Sequence, residues 1–279
     1  MEWMREGIHN PGLPSGWYPR SMEKIRSFLG ELDRGDAIPH GCACIVPHAG
    51  WTFSGRTAAR AIASLEACDV IVLVGGHLGP GEKLHCLPFR AYNTPAGFIE
   101  TDGKLVSLID SRFDLHYSGG VDNTTEVQLP LIAFYHPDTP VVVLRAPPSG
   151  LASELGQMLA EYEKEKSVKI GVIGSTDLTH YGPGYGFTPR GSVGEAYAWI
   201  REVNDHRFIQ AAMKGDVQQL LRLGLAERSA CSPGAAAAAV SFAFSSGCSR
   251  SQLLEYTTSY DMMPSENLVG YAAVLYSPA

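Results

Sequence analysis

Three histidines, His48, His77 and His180, each follow a short apolar run that is rich in β-branched residues. Such runs are typical of buried strands, and in an open α/β sheet the ligand site lies beyond the carboxyl ends of the strands. We therefore expect the three imidazoles at one edge of a sheet. For each histidine alone, a loop residue bound by backbone groups is the simpler interpretation. Together, and with a glycine within two residues of each, they are candidates for binding a divalent transition metal or for catalysis.

Cys231 is a further candidate ligand. It precedes Ser232 and Pro233, and a run of alanines follows. Serine at the N-cap and proline at the first helical position predict that a helix starts here. A thiol beside a helix N-terminus feels the positive end of the helix dipole, which favours the thiolate, the form that binds metals. The alternative for Cys231 is a small buried residue at the entry to a helix.

Two carboxylates are weaker candidates. Asp177 stands three residues before His180, where it either orients a histidine or caps the turn that follows. Glu126 stands near the start of an apolar helical segment. There it either contributes to a cofactor site or complements the helix dipole.

The elements that must position these residues alternate along the chain between strands and helices. Strands are predicted at 43–46, 69–74, 141–144, 168–173, 254–258 and 268–276, and helices at 55–67, 149–164, 194–214 and 233–244. The early strands are continuously apolar, which is typical of a sheet covered on both faces. No linker or repeat divides the chain. The prediction is one domain, an α/β sandwich with a central, mainly parallel sheet covered by helices.

Composition excludes several classes of protein. Of the 279 residues, 45% are hydrophobic and 18% charged, which predicts a packed core. The net charge is −7 and there is no basic run, so nucleic acid is not an expected partner. The chain has no signal-like N-terminus and no apolar run of about 18 residues, so we expect a cytoplasmic protein without a membrane partner. In such a protein the six cysteines, which form no CxxC pair, are expected to be unpaired.

The order of the motifs resembles the Memo family. The resemblance is carried by the blocks GWYP at 16–19, VPHAGWTFSG at 46–55, GGH at 75–77, TTEVQLP at 124–130, STDLTHYG at 175–182 and AC at 230–231. Bacterial and archaeal members are known as the B component of the AmmeMemoRadiSam system. The resemblance implies one domain, 1–279, similar to class III extradiol dioxygenases and with a nonhaem iron site.

Carried over position by position, the resemblance assigns the metal ligands to His48, His77 and Cys231. It assigns to His180 the role of the acid/base histidine of the dioxygenases. The residues themselves had already indicated all four positions.

The chain also departs from the family pattern at three places. Asn123 and Thr124 stand where the family usually has a His-Ser pair, Gly75 and Gly76 replace Pro-Ser, and Ser232 replaces glycine. The metal ligands are unaffected. The departures concern the surroundings of the ligands and the substrate pocket.

The resulting hypothesis is a ferrous-iron-binding protein of the extradiol dioxygenase superfamily that acts with O2 as an oxidoreductase. Its substrate would be a small molecule such as a dihydroxy-aromatic. Because a thiolate is a soft ligand, Cu(I) and Zn(II) are alternative metals. Two other functions remain open: a nonenzymatic metal-binding or redox-signalling module with a protein partner, and a zinc-dependent hydrolase.

Overall fold

The structure, a computed structural model, describes residues 6–30, 40–120 and 122–279. In chain order the elements are β1 (Glu6–His9), α1 (Met22–Leu29), β2 (Ala43–Val46), α2 (Trp51–Ala63), β3 (Val70–Gly75), β4 (His85–Cys86), β5 (Phe89–Thr94), β6 (Gly97–Glu100), α3 (Gly103–Phe113), β7 (His116–Tyr117), α4 (Asn123–Glu126), α5 (Leu129–Tyr135), β8 (Val141–Arg145), α6 (Gly150–Lys166), β9 (Ile170–Ser175), β10 (His180–Tyr181), a 3-10 turn (Pro183–Tyr185), α7 (Val193–Trp199), a π-helical turn (Ile200–Asp205), α8 (His206–Met213), α9 (Val217–Glu227), α10 (Pro233–Ser245), β11 (Arg250–Thr258), α11 (Ser259–Met262) and β12 (Leu268–Ser277).

The main sheet has a parallel centre. Strands β2, β9, β3 and β8 lie side by side in that order, and each is parallel to its neighbours. On one side β12 pairs antiparallel with β2 and also with β11 and β10, and on the other β4 and β7 complete the sheet. Strands β1, β5 and β6 form a separate small sheet. The carboxyl ends of β2, β3 and β9 meet at one edge because these strands are parallel.

Side chains of the central strands alternate between two cores. In β3, Val70, Val72 and Val74 pack with α3, α6 and α8 to α10, whereas Ile71 and Leu73 pack with α1, α2 and α5. Both faces of the strand are therefore buried, which is why its sequence is apolar without a period of two. The predicted α/β sandwich is confirmed, and its sheet is mixed, with four parallel strands at the centre.

The ends of several elements differ from the prediction. Helix α2 begins at Trp51 rather than at 55, because Trp51 packs inward while its N-cap, Gly50, provides no side-chain capping signal. The predicted helix 194–214 is interrupted by the π-helical turn. The small sheet and several short helices were not predicted, since their segments are too short to show a hydrophobic period. Within the described residues, no helix is long and apolar enough to cross a bilayer.

Cys42 and Cys248 are joined by a disulfide, contrary to the expectation that all cysteines are unpaired. Their sequence separation of 206 residues gives no local signal for this pairing. Cys42 directly precedes β2, and Cys248 follows α10. The bond thus connects the start of β2 with the end of α10. His48 follows the other end of β2, and Cys231 precedes the other end of α10.

A candidate metal centre at the carboxyl edge of the sheet

His48, His77 and Cys231 come together beyond the carboxyl ends of the parallel strands. Their candidate ligand atoms all lie within 4.8 Å of one another, and Cys231 Sγ is 3.2 Å from His48 Nε2. The two imidazole rings are 5.2 Å apart between centroids and stand at 79° to each other. Two ligands about 2.1–2.3 Å from one tetrahedral ion are separated by about 3.6 Å, so this donor set fits a single metal ion after small side-chain movements. In the part of the chain that the structure describes, no second group of three such ligands lies this close.

Each ligand is placed by a tight turn after a strand or before a helix. His48 follows β2 and precedes the start of α2. Gly76, between β3 and His77, has a φ of 102°, and a Cβ at this position would lie 2.5 Å from Arg145 Cβ. Only glycine avoids both the backbone strain and the clash. The backbone N–H of Cys231 donates to the carbonyl oxygen of Asp177 at 3.1 Å, which ties the start of α10 to the end of β9.

The residues that replace the family's usual His-Ser pair support the backbone of both histidine turns. Asn123 Nδ2 donates to the carbonyl oxygen of His48 at 3.3 Å. Thr124 Oγ1 accepts a hydrogen bond from the N–H of Gly76 at 2.8 Å and donates to Asp122 Oδ1. Asn123 and Thr124 therefore connect α4 to the turns that carry His48 and His77.

His48 is a neutral candidate ligand held by a buried chain of hydrogen bonds. Its side chain is 1% exposed, and burial lowers its pKa to about 4. Its Nδ1 lies 3.2 Å from Ser175 Oγ, and Gln128 Nε2 donates to both Ser175 Oγ and the Pro47 carbonyl oxygen. A proton on Nδ1 directed at Ser175 leaves Nε2, which faces Cys231, free to bind a metal.

Burial also acts on the other two ligands. It lowers the pKa of His77, and the neighbouring His48 lowers it further. It raises the pKa of the Cys231 thiol to about 12, with a further contribution from Asp177. This direction is opposite to the thiolate expected from the helix start, because loss of hydration outweighs the hydrogen bonds of Ser232 and Thr176 to the sulfur. The predicted helix start itself is found, with Ser232 as N-cap and Pro233 in the first turn.

Asp177 lies between two imidazoles. It is 3% exposed, and its Oδ1 accepts the backbone N–H of His48 at 2.6 Å. Its Oδ2 is 3.9 Å from His48 Nε2 and 4.0 Å from His180 Nε2. Burial raises the pKa of Asp177 to about 6, and His180 opposes this shift. Of the two predicted roles, the contacts favour the orientation of histidines.

His180 stands at the wall of an open cleft rather than within the ligand group. Its side chain is 27% exposed and contacts the Tyr185 ring edge-on, with 4.9 Å between centroids. Burial lowers the pKa of His180, while Asp177 partly restores it. The cleft has a volume of about 280 Å³ and is lined by His77, His180, Tyr185, Gly224, Arg228, Ala230 and Cys231. The sequence offered no signal for Arg228, whereas Tyr185 could have been considered because it lies in the glycine-rich loop after His180.

Glu126 is used within the chain and does not belong to the ligand group. Its carboxylate accepts hydrogen bonds from the backbone N–H groups of Gly12 and Leu13, both at 2.9 Å, and from the Tyr18 hydroxyl at 2.7 Å. His9 lies 3.7 Å away. These contacts attach the N-terminal segment to α4. Since the partners lie more than a hundred residues away in sequence, no local pattern predicted them.

Known structures include one with the same fold. The crystal structure of an uncharacterized protein from Escherichia coli K12 superposes with a TM-score of 0.52, covering 84% of this chain and 98% of that chain at 14% identity. At this identity the similarity supports the α/β fold alone.

Sequence relatives are more specific. A MEMO1 family protein of Thermococcus kodakarensis is 31% identical over 96% of this chain and 99% of its own length. One from Thermococcus onnurineus is 28% identical with the same coverage of both chains. Residues 10–275 match the family described as Memo-like protein. A match of this extent includes the main sheet except for the last two residues of β12, and every residue of the ligand group, and the chain therefore belongs to the Memo family.

Proposed function

We propose that the chain is a single Memo-like domain, 1–279, that binds ferrous iron through His48, His77 and Cys231 and acts with O2 as an oxidoreductase of the extradiol dioxygenase type. The observation that carries this proposal is the convergence of three donors beside an open cleft that also exposes His180. When bound, an ion with two imidazole ligands and one thiolate would offer open coordination positions to a substrate and O2.

His180 is the acid/base of this proposal. It faces the cleft, and its lowered pKa leaves it neutral at pH 7 and able to accept a proton from a phenolic hydroxyl. Asp177 Oδ2 lies 4.0 Å from His180 Nε2, too far for a direct hydrogen bond, and its charge would stabilise the imidazolium that forms when His180 accepts the proton. A dihydroxy-aromatic would supply both the hydroxyl proton and the oxygen donors that suit iron.

One observation favours a second candidate, a redox-responsive metal-binding module. Cys231 lines the open cleft, so small oxidants can reach its sulfur. Activated oxygen next to a thiolate ligand oxidises it to sulfenic or sulfinic acid, which would release the metal. In this alternative the change in metal content, rather than turnover, would be read by a protein partner.

Metal analysis combined with turnover assays tests these candidates. The protein is purified without oxygen, its iron, copper and zinc contents are measured, and O2 uptake is followed with a panel of dihydroxy-aromatics. Iron near one per chain with O2 uptake that requires His180 supports the proposed oxidoreductase. Zinc together with ester or amide hydrolysis contradicts the proposed oxidoreductase. Bound metal without any turnover also contradicts it and supports the redox-responsive metal-binding module.

A further inference from the structure

Arg228 brings an unpaired positive charge to the wall of the cleft. Within the described ranges of the chain, no carboxylate forms an ion pair with its guanidinium. The adjacent acid, Glu227, is instead bound by Arg207 and lies 3.6 Å from Arg222. In a protein of net charge −7, a cation left without an acidic partner beside a candidate metal centre indicates a negatively charged ligand.

The guanidinium is held in place by the 3-10 turn that follows β10. Arg228 Nη1 donates to the Gly186 carbonyl oxygen at 3.2 Å, and Nη2 donates to the Tyr185 carbonyl oxygen at 3.0 Å. The group also lies over the Phe187 ring, 4.7 Å from its centroid. Two of its five N–H donors are thus used to fix its orientation, and three are left for a ligand. A fixed guanidinium loses little freedom when it binds a carboxylate.

Tyr185 adds a second donor to the same wall. Its hydroxyl has no hydrogen-bond partner among the residues described, although its ring is held against His180. Burial and the negative charge of Asp177 both raise the pKa of Tyr185, so at pH 7 the hydroxyl is a donor. Asp177, which contributes to this shift, is buried and does not lie within ion-pair distance of Arg228.

The size of the cleft limits the ligand. A volume of about 280 Å³ is just below the range of about 300–1,000 Å³ found for small-molecule pockets. One aromatic ring with its substituents fits such a space, whereas a folded peptide segment does not. His77 and Cys231 line the same cleft as Tyr185 and Arg228.

We propose that Arg228, assisted by the Tyr185 hydroxyl, binds the carboxylate of a small aromatic acid whose hydroxylated end faces His77, His180 and Cys231. This assignment rests on the proposed function, because it takes the metal end of the cleft as the place for the hydroxyl groups. It adds a residue that selects the substrate by charge. Neutral dihydroxy-aromatics would then be poor ligands.

Binding without turnover tests this assignment. The metal-loaded protein is titrated calorimetrically, in the absence of oxygen, with 3,4-dihydroxybenzoate and with its neutral analogue 3,4-dihydroxybenzamide. The wild type should bind the acid about tenfold or more tightly than the amide, as expected for a charge-assisted bidentate contact. Arg228→Gln should bring the two affinities to within about twofold of each other and leave the affinity for the amide unchanged.

Three further variants separate charge from folding. Arg222→Gln removes a charge from the same helix outside the cleft and should keep the full preference for the acid. Arg228→Lys retains the charge and should keep part of the preference for the acid. Tyr185→Phe should reduce that preference by about threefold. Metal content and thermal stability, measured in parallel, identify a variant that has lost its fold.

Equal binding of acid and amide by the wild type, or an undiminished preference in folded Arg228→Gln, overturns the proposal. A preference for the acid that depends on Arg228, found without any O2 uptake, would contradict the oxidoreductase and leave the carboxylate site in place. The two ideas can therefore fail separately.

Discussion

The Sγ atom of Cys231 lies 3.2 Å from Nε2 of His48, although 183 residues separate them in sequence. Burial lowers the pKa of His48 to about 4 and raises that of Cys231 to about 12, so it keeps both groups neutral at pH 7 when no cation is near. A metal ion reverses the preference at Cys231, since the thiolate is then paired with a positive charge. Such a pair is suited to hold a cation, and Asp177 Oδ2 lies 3.9 Å from His48 Nε2.

Replacement of Cys231 by serine should weaken metal binding by more than about 100-fold, because a neutral hydroxyl is a much poorer ligand than a thiolate. The dissociation constant is measured by competition with a chelator. Cys68→Ser, which changes another free cysteine, is the control and should leave the affinity unchanged. Equal affinities in the wild type and Cys231→Ser would remove Cys231 from the ligand set.

Oxidation of Cys231 is a separate expectation. Peroxide should convert it to sulfenic or sulfinic acid and release the metal, because the sulfur is reached from the cleft. Mass spectrometry of the Cys231 peptide, with metal measured in the same samples, follows both events. If the peptide stays unmodified and the metal stays bound, the redox-responsive module loses its support.

His180→Ala should retain metal near the wild-type stoichiometry and lose O2-dependent turnover by about 10²–10⁴-fold, the usual contribution of a general acid/base. The reason is its position, since His180 lines the cleft but is not one of the three grouped ligands. His48→Ala is the comparison and should lose both metal and activity. Parallel loss of metal in the two variants would instead make His180 a ligand.

Gly76→Ala should destabilise the protein by about 2–4 kcal/mol and lower its metal affinity, because both backbone strain and overpacking oppose the new methyl group. Its φ is 102°, and the added Cβ would meet Arg145 Cβ at 2.5 Å. Chemical denaturation and metal titration are the measurements. Gly81→Ala, in the same loop and with nothing within 4 Å of its Cβ, should be close to neutral.

Asp205 predicts a pH dependence of stability. It is fully buried in the π-helical turn, where it accepts hydrogen bonds from the Thr179 N–H at 3.1 Å, the Thr179 hydroxyl and the Tyr256 hydroxyl at 2.7 Å. Burial nevertheless raises its pKa to about 6, and these bonds together with Arg201 only partly oppose the shift. A pKa raised on folding stabilises the protein at low pH, and that stability is lost as the pH rises toward the folded value.

The contribution of Asp205 to the free energy of unfolding should therefore fall by an amount on the order of 3 kcal/mol between about pH 4 and pH 6. Asp205→Asn should remove this part of the dependence. Urea denaturation of the metal-free protein at several pH values measures the free energy of unfolding. Asp138→Asn, a substitution of an exposed residue, is the control. An unchanged pH profile in Asp205→Asn would mean that Asp205 has no raised pKa.

Local sequence alone determined the central part of the architecture. The continuously apolar strands, β2 and β3 among them, predicted a sheet covered on both faces, and the parallel topology followed from their alternation with helices. His48 and His77 were indicated by their place directly after these strands. Cys231 was indicated because Ser232 and Pro233 mark a helix start. Such features depend on the hydrophobic period, on turn residues and on helix capping. These signals lie in residues that are close together in the sequence.

Only the tertiary structure decided how distant segments meet and which physical effect dominates there. It showed that burial raises the pKa of Cys231 and that Asn123 and Thr124 support the histidine turns. It also showed that Glu126 holds the N-terminal segment, that Cys42 pairs with Cys248, and that Arg228 reaches the cleft. These features depend on contacts between residues far apart in sequence and on desolvation, neither of which is encoded in a local pattern.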